Sequence, residues 1–139
     1  MARVSVGVDQ NLIAAIVRFI EKRFPNEDAE GAAGMYTDTG RLLLSTSPET
    51  LNDAVALCHE TGCLCDAYCA DESIVASACL LRVSPGRFVI LPPCGVCQER
   101  LFLYGPDVSI AVPCDHDATR WTAKKLHELQ PYHWRKALE

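Results

Sequence analysis

The five residues Pro93-Cys94-Gly95-Val96-Cys97 set two thiols three positions apart at the head of a segment whose pattern predicts a helix. Thiols at that spacing can chelate one metal ion, and the exposed amides of an opening helix stabilise their thiolate forms. Taken alone, the motif serves metal binding and dithiol redox chemistry equally well. The redox use wants a different βαβ setting, which the rest of the chain does not supply. Upstream stands Cys58-His59-Glu60, with Glu60 34 positions before Cys94. A third thiol completes a set of three protein ligands. On Zn2+ such a set leaves the fourth position open, the catalytic rather than the structural arrangement. A carboxylate two residues from a ligand can handle a proton there. Inside a helix, side chains two apart diverge, so Cys58 and Glu60 must share an opening turn or a break near Cys58.

The elements that would position these groups are legible in outline. Leu12, Ile13, Ile16, Val17 and Ile20 recur at spacings of three and four, which predicts an amphipathic helix over 11–24. Pro25 ends it, and the acidic stretch 26–30 reads as a loop. Segments 32–37 and 41–45 flank Asp38-Thr39-Gly40 and read as a hairpin. Ser47-Pro48-Glu49 has the form of a helix entry, and 50–71 is expected to be largely helical, in one piece or two. Strands are expected over 73–83 and 87–91 around the Ser84-Pro85-Gly86 turn, then a helix over 97–104, a strand over 107–112 and a closing helix over 122–130. The expected fold is one α/β domain over 1–139, a sheet of about five strands covered by helices.

The whole chain has 139 residues, a net charge of -5 and eight cysteines. That length suits one domain with a real core. The acidic balance argues against nucleic-acid binding, which depends on clustered Lys and Arg. No apolar run approaches bilayer-spanning length, and no secretory leader is visible at the N-terminus, so a cytoplasmic protein with reduced cysteines is expected.

Cys58-His59-Glu60 and Pro93-Cys94-Gly95-Val96-Cys97 resemble the signature of the zinc deaminases, His or Cys, one residue, Glu, and later Pro-Cys-x-x-Cys. The three-cysteine form is similar to the small homotetrameric cytidine deaminases and blasticidin S deaminase, and the similarity runs from Gly31-Ala32-Ala33 to Val112. The resemblance implies a three-layer α/β/α sandwich with a mixed sheet. It implies one Zn2+ per chain on Cys58, Cys94 and Cys97, with Glu60 as acid and base rather than ligand. It also implies a homotetramer (or homodimer) whose neighbouring subunits complete each pocket. In that family an Asn-x-Glu binds the ribose nine residues before the zinc cysteine. Here Glu49 stands nine residues before Cys58 and takes the carboxylate's place, with Ser47 where the Asn would be.

The implied reaction is hydrolytic deamination of a free cytosine nucleoside. Several departures bear on the substrate. Thr61 and Gln98 occupy positions where the family commonly has Arg, with Arg100 one turn away as a substitute; Ser47 lacks the amide; and His59 replaces a small residue beside the pocket. These motivate a modified pyrimidine or a nucleoside antibiotic such as blasticidin S as an alternative substrate. A non-catalytic, zinc-stabilised binding module is the other alternative.

Cys69-Ala70-Asp71 is a competing site motif, but it leaves only 23 positions before Cys94 for a helix remainder and two strands, and its Asp is one methylene short. Cys63, Cys65, Cys69 and Cys79 read as small core residues, Cys114 as a loop residue beside His116, and Trp121, Tyr132 and Trp134 as packing aromatics.

Overall fold

The computed structural model describes residues 6–26 and 29–139. Asp9 caps the first helix, α1 (Gln10–Arg23), by accepting the Leu12 N–H at 2.8 Å. The same oxygen accepts the Tyr36 hydroxyl at 2.8 Å, and burial together with that carboxylate pushes the Tyr36 pKa up to about 12. Lys22 and Arg23 in the last turn suit the negative end of the helix dipole. Leu12, Ile16 and Ile20, four residues apart, are fully buried and form the stripe that α1 lays on the sheet.

Six strands among the described residues form one mixed sheet: β1 (Gly31–Thr37), β2 (Leu42–Ser45), β3 (Ile74–Ser84), β4 (Arg87–Ile90), β5 (Ser109–Cys114) and β6 (Asp117–Lys125). The order is β2-β1-β3-β5-β6, with β4 also on β3. β3 runs antiparallel to β1 and β4 and parallel to β5, so its eleven residues serve two partners on one edge. Small residues, Ala32, Ala76 and Ala78, let α1 lie close on one face. At Gly34 a Cβ would stand 2.6 Å from Ile16 Cγ1, so α1 is seated directly on the β1 backbone. On the other face α2 (Thr61–Cys69), α3 (Gly95–Leu101) and α4 (Leu126–Leu129) bury Leu64, Ala67, Leu101 and Leu126 against Met35 and Ile110. The result is helix, mixed sheet, helix, the expected three layers.

Four expectations are corrected. Between β2 and α2 there is no helix entry at Ser47 and no helix from residue 50; one 3-10 turn, Asp53–Val55, interrupts an irregular segment. Ser47 donates its hydroxyl to the Leu57 carbonyl and its N–H to His59, and these bonds fix the chain in an irregular path where a cap was expected. Leu51, Val55 and Leu57 in this segment are exposed.

The closing helix is cut to Leu126–Leu129, because Asp117–Lys125 is a sixth strand. Its antiparallel pairing with β5, from Pro113↔Trp121 to Ser109↔Lys125, outweighs the helix propensity of Ala123, Lys124 and Lys125.

Cys63 and Cys79 are buried as expected, but Cys65 and Cys69 are exposed. Positions 63, 64 and 67 of α2 face the sheet, and 65 and 69 lie on the opposite side of the helix. Trp121 packs beside α1, where its indole N–H donates to Gln10 at 2.9 Å, but Tyr132 is 94% exposed. The acidic loop at 26–30 includes residues 27 and 28, which lie outside the described residues, as does the N-terminal stretch 1–5. Among the described residues no helix is long and apolar enough to cross a membrane.

Candidate active site

Cys58, His59 and Glu60 form the turn that leads into α2, with Glu60 in the capping position. The N–H of Thr61 donates to the Cys58 carbonyl at 3.2 Å, and that of Leu64 to the Glu60 carbonyl at 3.1 Å. This is the opening turn that the one-residue spacing of Cys58 and Glu60 demands. Ser45, at the end of β2, anchors it by donating its hydroxyl to the His59 carbonyl at 2.6 Å and accepting the Cys63 N–H at 3.0 Å. Cys94 caps α3 and Cys97 lies in its first turn. The Pro93-Cys94 corner is held by the Gln98 side chain, which donates to the Pro93 carbonyl at 2.9 Å.

These two helix openings face each other. The sulfurs of Cys58, Cys94 and Cys97 all lie within 4.8 Å of one another, and Cys58 Sγ is 3.4 Å from Cys94 Sγ. The Cys97 backbone N–H, with help from the Cys58 thiol and the Val96 N–H, pulls the Cys94 pKa down. The hydrogen bond to Cys94 and then burial push Cys58 up, while burial and the Glu60 charge push Cys97 up. Of the three thiols, Cys94 is the one whose thiolate form the helix amides favour. Arg100 reaches the opening of α2, donating to the Thr61 hydroxyl at 3.3 Å.

The donor set fits Zn2+. Bonds of about 2.3 Å in a tetrahedron put sulfurs somewhat under about 4 Å apart, close to the spacing found. Glu60 is 5% exposed, and Cys97 Sγ donates to its Oε2 at 3.6 Å. A buried carboxylate beside three thiols, and not one of the three, is placed for proton transfer.

Cys58 also lines a cleft of about 840 Å3 together with Arg23, Thr46, Ser47, Glu49 and His59. Ser47 and Glu49 thus stand on the wall of the same cleft as Cys58, but the Ser47 hydroxyl is engaged by the Leu57 carbonyl. His59 Nδ1 accepts the Ser47 N–H at 2.9 Å, and burial lowers the pKa of the ring.

Ser45 and Thr46 escaped the reading of the sequence because they act on residues 13 to 18 positions away. The only local signal was two hydroxyl residues at the end of a predicted strand. The competing motif at Cys69 falls at the last turn of α2, with Asp71 at a φ of 55° and β3 starting at Ile74, as the spacing argument requires. Cys114 sits at the β5–β6 turn, and among the described residues it joins His116 in no metal-binding group.

No family model matches the sequence, and no curated protein matches it. Solved structures do. The chain is similar to the cytidine deaminase from Bacillus anthracis, with 38% identity over 93% of this chain and 91% of that one, at a TM-score of 0.87. The cytidine deaminases from Mycobacterium leprae (22% identity, 87% and 95% covered, TM-score 0.66) and Burkholderia pseudomallei (20%, 88% and 95%, 0.65) share the fold. Extensive identity with the first, over nearly the full length of both chains, and the thiol cluster at the mouths of α2 and α3 lead to one conclusion: the chain belongs to the cytidine deaminase family.

Proposed function

We propose that this chain is a zinc-dependent hydrolase, one domain over residues 1–139, that removes the exocyclic amine of a free cytosine nucleoside. One observation carries the reading: three thiols lie within 4.8 Å of one another with the buried Glu60 beside them, and one of the three, Cys58, lines a cleft large enough for a nucleoside. Cys58, Cys94 and Cys97 would hold Zn2+, which would supply the Lewis acidity that makes water a nucleophile at neutral pH. Glu60 accepts the proton that this water loses and delivers it to ring N3, which draws electrons from C4 and favours attack there. The carboxylate then carries the second proton to the amine as the C4–N bond breaks. Cytidine and water become uridine and ammonia, with Glu60 returned to its starting state. Glu49, on the cleft wall, accepts hydrogen bonds from sugar hydroxyls. Ser47 contributes its position on that wall rather than its hydroxyl proton.

The net charge of -5 offers no track for a polynucleotide, which supports a free nucleoside as substrate. A second reading, a modified pyrimidine nucleoside such as blasticidin S, draws on Ser47: its hydroxyl proton is committed to Leu57, so the sugar end of the cleft lacks the free amide the family's Asn offers. The same reading makes the chain a homotetramer or homodimer, which the exposed Leu51, Val55 and Leu57 in the segment flanking the cleft support. A reducing, cytoplasmic setting suits eight cysteines that form no disulfide.

Ammonia release from cytidine, deoxycytidine, cytosine and blasticidin S tests the function. Highest kcat/KM on cytidine or deoxycytidine supports the first reading, and highest on blasticidin S the second. No release from any of the four by protein carrying one zinc per chain overturns both. Light scattering of the eluting protein tests the assembly, and a monomer would refute it.

A further inference from the structure

His59 sits between the zinc ligand Cys58 and the acid–base Glu60, yet its ring takes no place among the thiols. It turns the other way and wedges between two backbones. On one side, a Cβ at Gly31 would stand 2.8 Å from Nε2 and 2.7 Å from the Leu80 carbonyl, so β1 admits the ring only because residue 31 has no side chain. On the other side, Nδ1 accepts the N–H of Ser47 at 2.9 Å. A backbone N–H can only donate, so Nδ1 is the unprotonated nitrogen of the ring. Thr46 fastens the same stretch by donating its hydroxyl to the Gly31 carbonyl at 2.6 Å.

We infer that His59 is a positioning residue that sets nucleoside affinity, by locking the Ser47–Glu49 wall of the cleft to the turn that carries Cys58 and Glu60. The two ends of the substrate are handled by different parts of the chain, the base by the turn and the sugar by the wall. They lie nine residues apart along the sequence and in no common strand or helix, and among the described residues the wall segment has no regular secondary structure around Ser47. The Nδ1 bond, with Ser47 Oγ on the Leu57 carbonyl, is what ties the one to the other. A small residue at 59 would leave the Ser47 N–H without this acceptor and a space beside Gly31. Glu49 would then no longer be fixed relative to Glu60, and misplacement of that kind is expensive for affinity and rate. This inference rests on the deaminase reading for its link to nucleosides, but the lock itself does not.

The test uses full-length, zinc-loaded protein and three variants. In His59→Asn the carboxamide oxygen can stand where Nδ1 stands and accept the Ser47 N–H. In His59→Gln the side chain reaches past that point, and in His59→Ala it is absent. Amide hydrogen exchange should speed up across residues 46–49 in the Ala and Gln variants, with β3 unchanged and the Asn variant close to wild type. With cytidine, KM should rise roughly tenfold or more in Ala and Gln and return towards normal in Asn, while kcat changes far less. Unchanged exchange at 46–49 in both the Ala and Gln variants would overturn the lock. Faster exchange with an unchanged KM for cytidine would overturn its role in affinity. A wild-type protein inactive on every cytosine compound would defeat the deaminase reading, and the exchange arm would still decide the lock. Should the Ala variant not fold, the comparison of Asn with Gln carries the same decision.

Discussion

His133 Nε2 lies 2.8 Å from Oε2 of Glu99, which is two residues beyond Cys97 on α3. The other carboxylate oxygen accepts the Trp134 indole N–H at 3.0 Å, and the His133 ring stacks on Phe102 with centroids 3.8 Å apart. One carboxylate therefore fastens the C-terminal segment to the helix that presents two of the three thiols. A helix of seven residues has little stability of its own, so α3 depends on contacts of this kind.

Replacing His133 by Ala removes a ring that is 6% exposed and stacked, and leaves Glu99 with one donor. The expected loss is about 1–3 kcal/mol, in the range for a buried side chain with a partner. Calorimetry should show a lower melting temperature. Limited proteolysis should release the C-terminal segment first. A melting temperature equal to wild type would show that the clasp contributes nothing.

Glu60→Gln keeps the volume and the hydrogen-bonding reach of the side chain and removes its ability to take a proton. Metal analysis should still find close to one zinc per chain, whereas Cys94→Ala should lose it. Turnover of cytidine should fall by about 10²- to 10⁴-fold, the usual span for general acid–base catalysis. Ordinary turnover in a zinc-loaded Glu60→Gln protein would remove Glu60 from the mechanism.

What the sequence disclosed and what it hid divide along the range of the interactions. Cys58, Cys94 and Cys97 could be read together because ligand spacing at two helix openings is a local property, and the sulfurs do meet. α1, the first hairpin and β3 followed from periodicity and turn residues. The segment from Ser47 to Leu57 did not, because its shape is fixed by bonds to His59 and between its own ends, and composition alone favoured a helix. β6 was hidden for a related reason: nearly all its side chains are exposed, so it carries no apolar alternation, and its pairing with β5 defines it. The exposure of Cys65 and Cys69 depended on which face of α2 meets the sheet, and a run of small and apolar residues leaves that open.

Glu72 ties the first hairpin to β3's entry. Its carboxylate accepts the Thr39 hydroxyl, the Thr37 hydroxyl at 2.7 Å and Arg41 Nε at 2.7 Å, and Arg41 also meets Asp66 at 3.0 Å. The two hydroxyls, ahead of Arg41, hold the Glu72 pKa below its ordinary value of 4.5. A carboxylate lowered in the folded state stabilises it fully above the unfolded value, and that contribution disappears as pH falls through the folded one. Denaturant midpoints taken downward from pH 6 should therefore fall less steeply below about pH 4.5 in Glu72→Gln than in wild type. Parallel profiles would contradict the assignment.

The four cysteines outside the zinc set and the β5–β6 turn should separate by reactivity. Burial pushes the Cys63 pKa up to about 12 and that of Cys79 higher still, so both are protonated and shielded at neutral pH. Cys65 and Cys69 are exposed on α2. Alkylation of the folded, zinc-loaded protein followed by peptide mapping should find Cys65 and Cys69 modified first, and Cys63 and Cys79 only after denaturation. Early modification of Cys63 would mean that α2 presents a different face to the sheet.

Gly34 faces the middle of α1, and a Cβ there would lie 2.6 Å from Ile16 Cγ1, 2.9 Å from Ile16 Cδ1 and 3.1 Å from Leu12 Cδ1. Ile16 is fully buried and cannot turn towards solvent, so Gly34→Ala must push α1 away from β1 or force Ile16 off its rotamer. Overpacking of that kind is expected to destabilise by about 1–3 kcal/mol. Shortening the opposing side chain should relieve it. Ile16→Ala, which removes Cγ1 as well as Cδ1, alone opens a cavity and costs about 2–5 kcal/mol. In the double variant the two changes should partly cancel, giving an interaction energy of favourable sign, because the residues touch and share one gap. Chemical denaturation of the four proteins yields that interaction energy. Strict additivity would show that α1 adjusts as a rigid body and that the contact between Ile16 and the β1 backbone does not set its seat.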